Sequence, residues 1–108
     1  MSLTSLLHTS LSGMTAQTDR LSATADNIAN LSTAGYNRRE TAMSSLANGN
    51  GVAATVTPSS DPVPANGSNV DPAAEMLTMI DAGLAFKANA AAFETGADLW
   101  QVLASIKR

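Results

Sequence analysis

The chain has 108 residues, a formal net charge of −3, a single histidine (His8) and no cysteine, which together exclude disulfide scaffolds, thiol catalysis, thiolate metal sites and a His-rich metal centre. Twenty residues are Ala, while Leu, Ile, Val and Phe number only 21, close to the ~20% line below which chains struggle to form a core. With four aromatic residues (Tyr36, Phe86, Phe93, Trp100), the expectation is an elongated helical object whose apolar surface is completed by partners.

The first predicted element is a helix of about 27 residues between residues 5 and 31. Leu7, Met14, Leu21 and Ile28 fall seven apart, with Leu3, Leu11, Thr18 and Ala25 beside them, while Thr15, Asp19, Ser22 and Asp26 make a polar face. Asn27 and Asn30, near its end, suit a capped turn, or are simply polar residues at a fraying terminus. Gly35 suits a positive-φ turn after the helix, with Tyr36 packing beside it.

The middle, residues 38–70, holds Pro58, Pro62 and Pro64 and three of the seven glycines, and is expected to be irregular. Residues 51–57 read as one short strand, open to hairpin pairing with residues 41–46 across Asn48-Gly49-Asn50-Gly51. Pro62 and Pro64 forbid a central strand after that, and a lone hairpin is marginal, so mobility is expected until something holds the segment.

The last predicted element is a helix of ~35 residues. Asp71 is a good N-cap, Pro72 fits the first helical position, Glu75 suits the positive dipole end, and Lys107 and Arg108 suit the other end. Met79, Phe86, Phe93 and Trp100 recur every seven residues, flanked by Gly83, Ala90 and Ala97, as in a coiled-coil core. A second stripe, Leu77, Ile80, Leu84, Ala88, Ala91, Thr95, Leu99, Val102 and Ile106, repeats every eleven residues. One partner helix covers only one of these stripes, so pairing within the chain leaves apolar surface for other subunits.

Functional signals of other kinds are weak. The six cations leave a gap from Arg39 to Lys87, so no basic stripe for nucleic acid exists, and Arg38-Arg39 reads as a solvated pair or as a contact to an acidic neighbour. No run of 18 apolar residues predicts a membrane span, and residues 1–7 do not read as a cleavable secretory signal. No nucleophile elbow, phosphate loop or paired-carboxylate arrangement occurs, and His8 has no catalytic or metal partner at helical spacing, so neither an enzyme nor a cofactor is expected.

Three stretches resemble the N-terminal signature of bacterial flagellar rod and hook proteins: Leu11 to Gln17, Asn27-Ile28-Ala29-Asn30, and Thr33-Ala34-Gly35-Tyr36. Asn69-Val70-Asp71, Glu75-Met76, Met79-Ile80, Phe86 and Ala88-Asn89 resemble the matching C-terminal signature, most like that of a short proximal rod subunit. Gly83 and Leu84 stand where relatives often carry polar or basic residues.

The segment pattern and the resemblance together imply a mainly α fold with paired N- and C-terminal helices around an irregular middle that is open to a short hairpin, divided as residues 1–37, 38–70 and 71–108. The resemblance implies a structural subunit of the basal-body rod in the periplasm, exported by the flagellar type III apparatus without a cleaved signal. Its implied partners are other axial subunits and itself, with neither nucleic acid nor membrane insertion, and its implied work is transmitting torque. Leu7, Met14, Leu21, Ile28, Leu77, Ile80, Leu84, Phe86, Phe93, Leu99, Trp100, Val102 and Ile106 are the expected subunit-packing residues. Asn27, Ile28, Ala29, Asn30, Thr33, Gly35, Tyr36, Asn69, Asp71 and Asn89 are the expected motif residues. The competing reading is a soluble helical adaptor or chaperone of the export system; an amphipathic membrane-surface helix is disfavoured because its polar faces lack cations.

Overall fold

A computed structural model describes residues 2–106. Helix α1 spans Leu3–Ala29, strand β1 Arg39–Ser45, strand β2 Val52–Pro58 and helix α2 Pro72–Ile106, with a single 3-10 turn at Ala47–Gly49 between the strands. The Ser2 hydroxyl caps α1 by accepting the Ser5 amide N–H (3.1 Å). The Asp71 carboxylate caps α2 by accepting from the Ala73 and Ala74 amides (3.1 and 3.4 Å), which leaves Pro72 at the first helical position, where a missing N–H costs nothing. The charge expected at the C-terminal end, on Lys107 and Arg108, lies outside the described residues.

The expected mainly α class with an irregular middle is corrected. The helices are joined by an ordered antiparallel sheet in which Arg39 pairs with Pro58, Thr41 with Val56, Met43 with Ala54 and Ser45 with Val52. Two local causes hold it. Asn48, Gly49 and Gly51 all take positive φ (62°, 68° and 98°), which reverses the chain tightly enough to set this register. The Ser12 hydroxyl of α1 then accepts the Val52 amide N–H (3.1 Å) while donating to the Thr9 carbonyl (2.7 Å), fixing the hairpin to the helix. Gly51 lies so close to Ser12 that a Cβ there has no room.

The two helices run antiparallel: Gly13 lies against Asn89, Gly96 against Leu7, and Arg20 forms an ion pair with Asp81 (2.9 Å). Their contact line is small and polar. On α1 the buried residues are Ser10, Gly13, Ala16, Ala23, Thr24 and Asn27, and on α2 they are Glu75, Ala82 and Gly96. The heptad Leu7, Met14, Leu21 and Ile28 lies one residue off this line, half-buried at its edge. Small residues win the line because they let the backbones approach: a Cβ on Gly13 would stand 2.6 Å from the Asn89 Cγ.

The result is a rod measuring 67 × 25 × 14 Å, with a radius of gyration of 18.1 Å. A compact chain of this length would have ~13 Å. The only buried hydrophobic residues among those described are Ala16, Ala23, Val70 and Ala82, so no large apolar side chain is fully inside.

Candidate assembly site

Where α1 ends, the chain must turn back toward the hairpin, and a polar cluster fixes that turn. Asn30 closes the helix by donating from its side chain to the Asp26 carbonyl (2.9 Å) and accepting the Thr33 hydroxyl (3.1 Å). Thr33 to Tyr36 then form a turn closed by the Tyr36 amide on the Thr33 carbonyl (3.2 Å), with Gly35 at φ 73°, a conformation that favours Gly.

Asn27 is the centre of the cluster and is 1% exposed. Its Nδ2 donates to the Arg39 carbonyl (2.9 Å) and to Glu75 Oε1 (3.0 Å), while its Oδ1 accepts from the Tyr36 hydroxyl (3.0 Å) and the Arg39 amide (2.8 Å). One amide thus ties α1, β1, the turn and α2 together, with all its donors and acceptors used. The Glu75 carboxylate, 3% exposed, also receives Arg38 Nε at 3.5 Å, and Arg38 Nη1 pairs with Glu40 at 2.7 Å.

Asn69 extends the cluster into the segment before α2. Its Oδ1 accepts the Arg38 amide (2.6 Å) and its Nδ2 donates to Asn37 Oδ1 (2.8 Å). The Asn37 Nδ2 in turn donates to the Ser59 carbonyl (2.9 Å). The motif residues Asn27, Asn30, Thr33, Gly35, Tyr36 and Asn69 therefore share one neighbourhood. Asp71 sits at the α2 cap, and Ile28 and Ala29 are the last turn of α1, half-buried and exposed respectively. Asn89 is elsewhere, over Gly13, with its Nδ2 bonded to the Ala85 carbonyl (2.9 Å).

Sequence alone leaves Arg38 either solvated or in contact with an acidic neighbour, and the structure gives the second, with Glu40 and Glu75 as the neighbours. Glu75 reads from sequence only as a helix-dipole residue, so its place in the cluster was missed. A signal existed: Glu75, Ala82, Asn89 and Gly96 stand seven apart, and a charge on such a line of small residues must find a partner. Ser12 and Gly13 stand inside the Leu11 to Gln17 signature without a role, and Arg20 has none, since nothing apolar marks them.

The large apolar residues lie mostly outside. Leu77, Ile80, Leu84, Val102 and Ile106 are each more than half exposed, Leu99 and Trp100 about half, and Phe86 about a third, while Phe93 is half-buried. At the C-terminal end of α2, Leu99, Val102 and Leu103 share an open groove with Leu3 and Leu6 of α1, and Trp100, Leu103 and Ile106 line a second apolar hollow. Burying a Leu or Ile contributes about 1.5–3 kcal/mol when complete, so this face has several kcal/mol of association free energy not used within the chain.

Among the described residues, no group of three His, Cys, Asp or Glu side chains is placed to hold a metal, and no helix is long and apolar enough to cross a membrane. The site's chemistry is packing and hydrogen bonding.

A family model described as "Flagella basal body rod protein" matches residues 7–37, and one described as "Flagellar basal body rod FlgEFG protein C-terminal" matches residues 65–106. Together they cover about two thirds of the chain and contain both helices' motif residues. The flagellar hook protein FlgE of Brucella abortus biovar 1 (strain 9-941) is 61% identical over 46 residues, 43% of this chain and 12% of that protein. The flagellar hook protein FlgE of Rhizobium meliloti (strain 1021) is 53% identical over 53 residues, 47% of this chain and 13% of that protein. The match thus spans about an eighth of the length of these curated relatives.

Proposed function

From the premise that the chain belongs to the flagellar basal-body rod and hook family, we propose that it is a structural subunit of the flagellar rod, packing by its helices with other axial subunits and with itself. The family is structural and not enzymatic. One observation carries the reading: α2 presents Leu77, Ile80, Leu84, Leu99, Val102 and Ile106 to solvent while its contact with α1 uses small and polar residues instead.

Association costs an estimated 4–15 kcal/mol in lost freedom, so a half-exposed stripe of this size stabilises an assembly best when each copy makes several contacts at once. A polymer meets that condition. The three sequence regions, residues 1–37, 38–70 and 71–108, then have separate work: helix pairing at the two ends and a hairpin that sets spacing to neighbours. A stiff polymer of this kind transmits torque. Export through the flagellar type III apparatus to a periplasmic rod, without a cleaved signal, belongs to the same reading and is supported by the chain's sparse core.

Motility and basal-body composition test it in a strain carrying Leu84→Asp or Leu99→Asp. Both side chains are about half exposed or more, so the helical fold should survive. Incorporation should be lost while export persists; normal basal bodies with either variant overturn the reading. A hook position is the second reading, favoured by the 61% identity to a hook protein. Separate purification of hooks and rods decides between them.

A further inference from the structure

Between α1 and the hairpin lies an open groove of about 370 Å³, lined by His8, Leu11, Thr15 and Asp19 of α1 and by Leu46 and Ala54 from the hairpin side. Its α1 wall carries two polar groups at its ends. His8 and Asp19 are both exposed, and they are eleven residues apart. On α2, Lys87 and Asp98 are also exposed and also eleven apart. Eleven residues make three helical turns, returning to within about 20° of the same face after ~16.5 Å. Among the described residues, none of these four side chains has an ion-pair partner within its own chain.

We propose that this groove receives α2 of a second copy of the chain, lying antiparallel to its α1, with Lys87 against Asp19 and Asp98 against His8. The inference rests on the assembly reading above and specifies its register. A cation–anion pair at one end and a histidine–carboxylate hydrogen bond at the other, at an identical spacing, select the orientation. With Lys87 held on Asp19, the antiparallel arrangement brings Asp98 to His8, whereas the parallel one brings Asp98 to Asn30 and leaves His8 facing Met76.

The residues between the charges fit as well. In this register Ala91 lies opposite Thr15 and Thr95 opposite Leu11, small side chains on α2 meeting the half-exposed Leu11 in the groove. Lys87 and Asp98 lie on the side of α2 turned away from the Glu75, Ala82, Asn89 and Gly96 line, so α2 contacts its own α1 and the neighbour's groove together. Groove and α2 face are different surfaces, which makes the contact heterologous, and such contacts propagate as open helical polymers unless the rotation closes. Because α1 and α2 are antiparallel within each copy, antiparallel docking also keeps successive copies pointing the same way.

The absence of cysteine makes the test direct. Thr15→Cys chains are mixed with Ala91→Cys chains and treated with a short bismaleimide, with Thr15→Cys plus Thr57→Cys as the control. Cross-linked heterodimer should exceed the control at least about ten-fold. Lys87→Asp or Asp19→Lys alone should weaken self-association on the order of ten-fold, as apposed like charges do, and the double reversal should restore it to within about two-fold. Circular dichroism of each variant checks that the helices are intact. A wild-type chain that does not self-associate removes the self-packing part of the assembly reading together with this register. A wild-type chain that associates, with no 15–91 cross-link and no rescue by the double reversal, removes the register alone.

Discussion

Replacing Asn27 by Ala removes the one side chain that ties α1, β1, the Gly35 turn and α2 together. Four hydrogen bonds disappear, three to neutral groups and one to the Glu75 carboxylate. At about 0.5–1.5 kcal/mol for each neutral bond and 1.5–3 kcal/mol for the charged one, the direct loss is about 3–7.5 kcal/mol. Water entering the vacated site re-solvates part of the cluster, so the expected change is about 3–5 kcal/mol. A domain of this length has a total stability of ~5–15 kcal/mol, so the variant sits near its unfolding threshold. Urea titration followed by far-ultraviolet circular dichroism measures the change, and at ~1–1.5 kcal/mol per molar urea the midpoint should fall by ~2–5 M. Tyr36→Phe, which deletes one of the four bonds, should cost only ~1 kcal/mol. An Asn27→Ala loss below ~1 kcal/mol would refute the claim that this amide organises the turn.

Other expectations follow from the same geometry. Gly13→Ala should destabilise, because its Cβ meets the whole Asn89 amide, yet in an Asn89→Ala background it should stabilise by up to ~1 kcal/mol through helix propensity; urea titration of the pair gives both signs. Gly96→Ala should be close to neutral in the same assay, since its Cβ meets the movable end of Leu7 at 2.8 Å. Ser12→Ala should cost ~1 kcal/mol and raise hydrogen exchange at Val52 and its β2 neighbours more than in α2, because it frees the hairpin from α1. Gly35→Ala should cost about 1 kcal/mol from backbone strain alone, as the space around it is open.

Much of the local structure was readable from residues. The α1 reading over residues 5–31 lies within two residues of Leu3–Ala29, and the Asp71-Pro72 start of α2 is where the structure puts it, because caps and proline act locally. Strand residues 51–57 were legible from Val and Thr flanked by turn signals. That the hairpin is ordered was not, because its anchor is Ser12, forty residues away and unremarkable in its own context. The helix contact line was misread for a physical reason. Heptads of large side chains are the usual mark of a helix seam, and here Gly13, Ala82 and Gly96 form it by close approach, moving Leu7, Met14 and Phe86 to the edge or outside. The Asn27 cluster was only half legible: its motif residues come from both signatures, but Glu75 is marked as a member only by its place on the seven-residue line with Ala82, Asn89 and Gly96.

The central claim is that the exposed face of α2 is completed by neighbours in the flagellar axial structure. Quantitative mass spectrometry of purified hook–basal-body complexes tests it most directly, comparing the wild-type chain with Leu84→Asp. Many copies per complex for wild type and almost none for the variant are the predicted result. Absence of the wild-type chain from these complexes, with recovery in a discrete soluble complex with an export component, would contradict it and favour the adaptor reading.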